Sequence, residues 1–298
     1  MMTLRKRKRP LWAPTVAVTG WGESTFAEQA WDKSRNAGMR WAIAGLVIGA
    51  VLALIAFAPA AWLAAAVASS TDQRLLLAEA RGTVWDGSAV PILTGGRDSR
   101  DASALPGRLE WTLVPRGLGL DLRLRQNCCL NGTVVVHLRP GLGRMAAIVG
   151  PSAGGWVAQW PSAWLSGLGT PWNTMQLGGA VRLVTPGFTV ESVQGRWRLN
   201  GRADIELKNV SSRVTTLDTL GSYRLSLDGG GANDNSPTRL NLSTQEGPLQ
   251  LTGSGTWGLG GVRFRGEARA AAADEAALSN LLNIIGRRDG ARSVISIG

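Results

Sequence analysis

No charged side chain occurs from Trp41 through Thr71. Within that stretch the apolar run Trp41–Trp62 would span about 33 Å as a helix at ~1.5 Å per residue, which matches a hydrocarbon core of ~30 Å. Trp41 and Trp62 sit at its two ends, where indole rings favour the membrane interface. The run predicts one transmembrane helix, and every other feature of the chain must lie on one side of it or the other.

Charge sets the orientation. Residues 1–40 hold eight basic side chains, five of them in Arg5–Arg9, against three acidic ones. A basic flank stays in the cytoplasm. Residues 1–40 therefore read as a basic cytoplasmic tail with no core of its own, 41–62 as the membrane helix, and 72–298 as a periplasmic domain anchored at the inner membrane. The remaining residues carry 24 basic and 18 acidic groups with no second basic run. The net charge of +11 is thus a topogenic tail plus a mildly basic domain, and no nucleic-acid partner is expected.

Two alternatives stand beside this topology. Ala66-Val67-Ala68 is an A-x-A pattern of the kind cleaved after a signal peptide, although the apolar run exceeds the usual h-region of roughly 7–15 residues. Initiation at Met39 would remove the basic tail. Inside the helix, Gly45 and Gly49 form a G-x-x-x-G that puts both glycines on one face, where a partner helix could approach closely.

The rest of the chain alternates with period two. Leu118, Leu120, Leu122 and Leu124 oppose Asp121, Arg123 and Arg125; Ala203, Ile205 and Leu207 alternate with Asp204, Glu206 and Lys208; Val262, Phe264, Gly266 and Ala268 alternate with Arg263, Arg265, Glu267 and Arg269. Such alternation marks antiparallel strands with one buried and one wet face. The fold class is mainly β: antiparallel sheet, open or curled into a groove or partial barrel, with the N-terminal transmembrane helix and one short C-terminal helix. That helix is predicted by Leu278, Leu281, Leu282 and Ile285, with Asp274 and Glu275 at its start and Gly286 as its stop. A last strand is expected at Ser293–Ile297. Asn131-Gly132 signals a hairpin between Leu118–Gln126 and Thr133–Leu138. The polar loop Gly229–Pro237 separates two later strands. The pattern weakens over Gly141–Thr170, the best place for a subdomain boundary.

Chemistry is scarce. His137 is the single histidine and sits in a predicted strand; no metal cluster, P-loop or nucleophile motif occurs, and neither catalytic residues nor a cofactor is expected. Gly253, Gly255 and Gly258 match G-x-G-x-x-G, but a strand follows them and not a helix. The better reading is a strand whose glycines make room for Trp257 or for a concave surface. Cys128 and Cys129 are adjacent, in an oxidising compartment if the topology holds. Two unlinked thiols and a strained vicinal disulfide are the two readings, since neighbouring Cα atoms at ~3.8 Å fall below the usual disulfide range.

Several local strings then take on a shared meaning. Arg81-Gly82-Thr83-Val84-Trp85-Asp86-Gly87 resembles the early GTxW-G signature of the type II secretion system protein N family. Leu105-Pro106-Gly107-Arg108-Leu109-Glu110-Trp111 resembles that family's next strand. Leu242-Ser243-Thr244, Gly247-Pro248-Leu249, Gly253-Ser254-Gly255 and Trp257 resemble its late strands. The segments 264–268, 281–288 and 295–298 resemble its tail. The likeness runs from about residue 40 to the end, carried by the order and spacing of the strings; the basic tail before Met39 departs from the family pattern.

The resemblance implies a bitopic, non-enzymatic accessory subunit of the machinery that exports folded periplasmic proteins across the outer membrane. Its implied partners are other type II secretion subunits of the inner membrane and periplasm, together with the lipid bilayer. The family also resembles AsmA-like β-groove proteins, some of which carry lipid. On that second reading Leu249, Leu251, Trp257, Val262 and Phe264 would line an open apolar face for a lipid ligand or a partner.

Overall fold

The computed structural model describes residues 39–151, 155–193, 196–230, 236–258 and 261–298. The basic cluster Arg5–Arg9 and the loop residues Asn233, Asp234 and Asn235 lie outside them. The chain divides into two compact units, Met1–Ala56 and Phe57–Gly298. The described part of the first is helix α1 (Met39–Ala56), apolar after Arg40, with none of its residues buried. Among the described residues it is the one helix long and apolar enough to cross a bilayer.

The second unit opens with helix α2 (Ala60–Ser70). The expected single helix over 41–62 is therefore two helices. Pro59 has no N–H to donate and disfavours helical geometry at Ala58; it is itself extended, with ψ 144°. Trp62 belongs to α2 and not to the helix that carries Trp41.

The strands are β1 (Leu75–Gly82), β2 (Asp86–Thr94), β3 (Ala102–Ala104), β4 (Leu109–Arg116), β5 (Gly119–Arg125), β6 (Thr133–Gly141), β7 (Arg144–Val149) and β8 (Ala158–Pro161), then β9 (Leu177–Val193), β10 (Arg196–Ser212), β11 (Gly221–Asp228), β12 (Thr238–Glu246), β13 (Leu249–Gly258), β14 (Gly261–Ala270), β15 (Arg287–Asp289) and β16 (Arg292–Ile297). A short helix α3 (Trp172–Met175) precedes β9, and α4 (Glu275–Ile285) follows β14. The strands form one antiparallel sheet that does not close. Its order is β1-β2-β4-β5-β6-β7-β9-β10-β11-β12-β13-β14-β16-β15, with β3 beside β2 and β8 beside β9.

The period-two pattern sets the register. Leu122 lies opposite Leu113 and Val136, Ile205 opposite Leu183 and Leu225, and Leu242 opposite Leu225 and Gly253. A one-residue slip anywhere would carry a whole apolar row to the wet face. No subdomain boundary falls in Gly141–Thr170. There β7 pairs with one half of the 17-residue strand β9 and β8 with the other half, so the sheet runs straight through. The pattern looks weak because one strand position is shared by two short pieces.

Two helices cover the apolar face from opposite ends of the strand order. Ala60 of α2 packs with Ala89 and Trp111, with Leu63, Leu122 and Leu124 alongside. Leu278, Leu281 and Leu282 of α4 pack with Leu249, Ala268 and Tyr223, joined by Met175 and Leu177. The edge strand β1 is blunted by a bulge between Ala78 and Arg81. Arg108 fills it, donating to the Glu79 and Ser88 carbonyls at 2.6 and 3.1 Å and to the Glu79 carboxylate at 3.2 Å.

Candidate binding face

The alternation places Trp111, Leu122, Val136, Leu183, Ile205, Leu225, Leu242 and Leu251 on one face of the sheet. The facing set, Arg123, His137, Glu206, Arg224 and Glu267, lies on the other. The apolar face is the larger candidate site, and the helices divide it unequally. Leu249 is only 2% exposed and Leu251 is half-buried, both within the α4 cluster. These two residues do not belong to an open surface, because the amphipathic stripe of α4 covers them. Trp257 and Phe264 share their face, half-buried, and Val262 is 42% exposed. Leu183, Ile205, Leu225 and Leu227 are half-buried and stand outside both clusters.

Gly253 and Gly255 make room, but not for Trp257. A Cβ on Gly253 would collide with the tip of the Phe264 ring, and one on Gly255 would sit 2.9 Å from the Phe264 Cα. The glycines therefore let the Phe264 ring lie flat across two strands. Gly45 and Gly49 differ: an added Cβ on either meets nothing within 4 Å.

The polar face is organised by ion pairs. Glu206, 11% exposed at its side chain, accepts from Arg224 at 2.8 Å and lies 3.4 Å from Lys208. Burial opposes its charge, yet Arg224 and Lys208 outweigh that and hold its carboxyl below the usual value. Asp121 lies directly opposite His137 in the register, and an ionised carboxylate can only accept, so His137 Nδ1–H donates to it at 2.7 Å. That bond, with the Arg116 guanidinium at 3.2 Å, lowers the Asp121 carboxyl against its burial. Sequence reading left His137 without a partner. The signal was the paired register of β5 and β6, which sequence alone does not fix.

Cys128 and Cys129 lie in the turn between β5 and β6, not in a strand, and their sulfurs are bonded to each other. The turn is a clasp. Gln159 N–H donates to the Cys129 carbonyl at 2.8 Å, Asn131 N–H to Val157 at 3.0 Å, and Asn131 Nδ2 to Trp156 at 3.0 Å. Asn131-Gly132 is thus part of a longer connection that holds the segment before β8.

Two shallow cavities open on polar side chains. One of about 560 Å³ is lined by Ser88, Glu110, Thr112 and Arg123; the other, of about 700 Å³, by Arg239, Asn241, Arg263 and Arg265. No group of three metal-ligating side chains occurs among the described residues.

The fold is an open antiparallel sheet preceded by a helix long and apolar enough to cross a bilayer. The chain matches the model of the type II secretion system (T2SS), protein N, over residues 73–295, and it belongs to that family. No curated protein and no solved structure gives a significant match. The chain is therefore a type II secretion component, and its family is not a known enzyme family.

Proposed function

We propose that this chain is an accessory, non-catalytic inner-membrane subunit of the type II secretion system. On this reading α1 crosses the membrane once with the N-terminus in the cytoplasm, and the sheet lies in the periplasm. There it assists export of folded proteins by contacting other secretion subunits. The observation that carries the reading is the family match across nearly the whole sheet. The exposed apolar helix α1, the basic residues before it and the bonded cysteine pair in the β5–β6 turn all support the same topology. An uncleaved chain is favoured because a cut after Ala68 would remove Ala60 and Leu63 from the cluster around Trp111. Gly45 and Gly49, where an added Cβ meets nothing within 4 Å among the described residues, are the positions for a partner helix.

Deletion of the gene is expected to trap type II substrates, folded, in the periplasm. Normal export in the deletion strain would remove the main support. Reporter fusions at Trp41 and after Asp72 test the topology, with cytoplasmic activity expected at the first and periplasmic activity at the second.

A second reading is kept for the uncovered part of the apolar face. Half-buried Leu183, Ile205, Leu225 and Phe264, beneath neither helical cover, are the side chains that would hold an acyl chain. Native mass spectrometry of the purified chain tests it, and absence of co-purified lipid counts against it.

A further inference from the structure

Antiparallel pairing puts the β1–β2, β4–β5, β6–β7, β9–β10 and β13–β14 connections at the same end of the sheet. Two of these turns have the same sequence at their tips, Gly117-Leu118-Gly119 and Gly141-Leu142-Gly143. Gly117 and Gly143 adopt positive φ, 59° and 69°, which closes each turn tightly and thrusts the leucine outward. Leu118 is 99% exposed and Leu142 103%, as open as leucine can be. They stand on adjacent hairpins, since β5 pairs with β6. Met145, Val262 and Ile297, also exposed, lie at this same end.

The chain enters the second unit here as well. Val84 N–H donates to the Ala58 carbonyl at 2.8 Å, and Pro59 bridges to Thr83, so the residues directly after α1 are fixed beside the β1–β2 turn. Phe57 and Trp62, which flank that entry, are exposed. The side chains of Arg139 and Arg144, which flank the Leu142 tip, are exposed and make no hydrogen bond or ion pair to any described residue. Of the described carboxylates at this end, Asp121 is taken by His137 and Arg116, Asp86 accepts from Thr112, and Asp228 lies 3.8 Å from Arg202; Glu191 is half-buried on β9.

We infer that this end of the sheet is a bilayer-contacting surface, with Leu118 and Leu142 inserted among the acyl chains and Arg139 and Arg144 on lipid phosphates. Exposed apolar tips beside unpaired arginines are the chemistry of an anionic membrane interface. Chain continuity names the occupant: the end that carries the tips is the end to which the membrane-length helix is tied. The inference rests on α1 spanning the membrane. It adds that the hairpin tips of the sheet themselves meet a lipid surface.

The test uses the full chain in vesicles of phosphatidylcholine with a minority of phosphatidylglycerol. Leu118→Cys, Leu142→Cys and, at the opposite end, Gln250→Cys are each labelled with an environment-sensitive dye. At Leu118 and Leu142 the emission is expected to shift to the blue and to be quenched by lipids spin-labelled on the acyl chain. At Gln250 it is expected to be quenched by aqueous iodide only. Arg139→Glu with Arg144→Glu should reduce lipid quenching in these vesicles and leave it unchanged in pure phosphatidylcholine. Iodide quenching at both tips would overturn the inference. Protection from iodide and lipid alike would overturn it in favour of a protein partner or a second copy. Vesicle flotation read on the same samples separates the failures. Flotation with iodide-accessible tips defeats this inference alone, whereas loss of flotation defeats the anchor and the inference together.

Discussion

The two helices that cover the apolar face do so with opposite chemistry. On α4, Leu278, Leu281 and Leu282 are wholly buried while Glu275, Ala276 and Asn280 face solvent. α2 is apolar on every side, AAWLAAAVASS; it buries only Ala60, and Trp62 on its outer surface is 54% exposed. The first is an amphipathic cover, apolar toward the sheet and polar outward. The second uses small side chains to approach Trp111 closely and leaves an apolar back facing outward. A helix of the first kind is satisfied by the sheet alone, whereas one of the second kind suits a setting next to a membrane or a partner.

That contrast can be broken by mutation. Trp111→Ala removes the largest ring under α2, and Leu281→Ala removes a wholly buried leucine under α4; losses of about 3–5 and about 2–5 kcal/mol are expected from cores of this kind. Thermal unfolding of both variants in the same detergent or nanodisc measures them. If Trp111→Ala costs little, α2 is not a structural cover and the comparison fails. Gly253→Ala should cost about 1–3 kcal/mol because the new Cβ meets the Phe264 ring. Recovery in the Gly253→Ala, Phe264→Ala double variant would identify the ring as the cause.

Tyr223, at the centre of the α4 cluster, shares its hydroxyl proton between the Leu220 and Leu249 carbonyls at 3.0 and 2.9 Å, and burial pushes its pKa up. Tyr223→Phe should cost about 1 kcal/mol by removing a buried hydroxyl donor; the Leu220 carbonyl keeps the Leu249 N–H at 3.0 Å.

A smaller effect belongs to the pH dependence of Asp121. Its folded pKa is lowered, so its contribution is complete above the unfolded value of about 3.9 and is lost as pH falls through the lower folded value. His137→Ala removes the largest cause of that lowering. Acid-limb denaturant titrations should show the dependence weaken in the variant; an unchanged acid limb would sink the assignment. The smallest change is expected for Cys128→Ser. A bond between neighbours closes almost no loop and restricts the unfolded chain little. Thiol counting in denaturant, with and without reductant, reports the bond itself.

The strand faces were legible because period-two alternation follows directly from the pleat. Ala203–Lys208 and Val262–Arg269 lie as that pattern predicts, and α4 starts and stops at Glu275 and Gly286 as its leucine spacing and glycine indicate. Apolar length alone predicts one helix over 41–62, whereas Pro59 divides that run into two. The apolar face was only half legible. Leu249, Leu251, Trp257, Val262 and Phe264 do share a face, yet nothing in their alternation reveals that α4 covers the first two.

Local sequence thus determined the membrane-length helix, the faces of the strands and the terminal helix, because each depends on side-chain periodicity or length over a few residues. Tertiary structure decided which parts of the apolar face are covered, which carboxylate His137 meets, and which turns share the end where the chain enters from α1. Those depend on strand order and register across many residues of separation, and burial at one position says nothing until the element that packs over it is known.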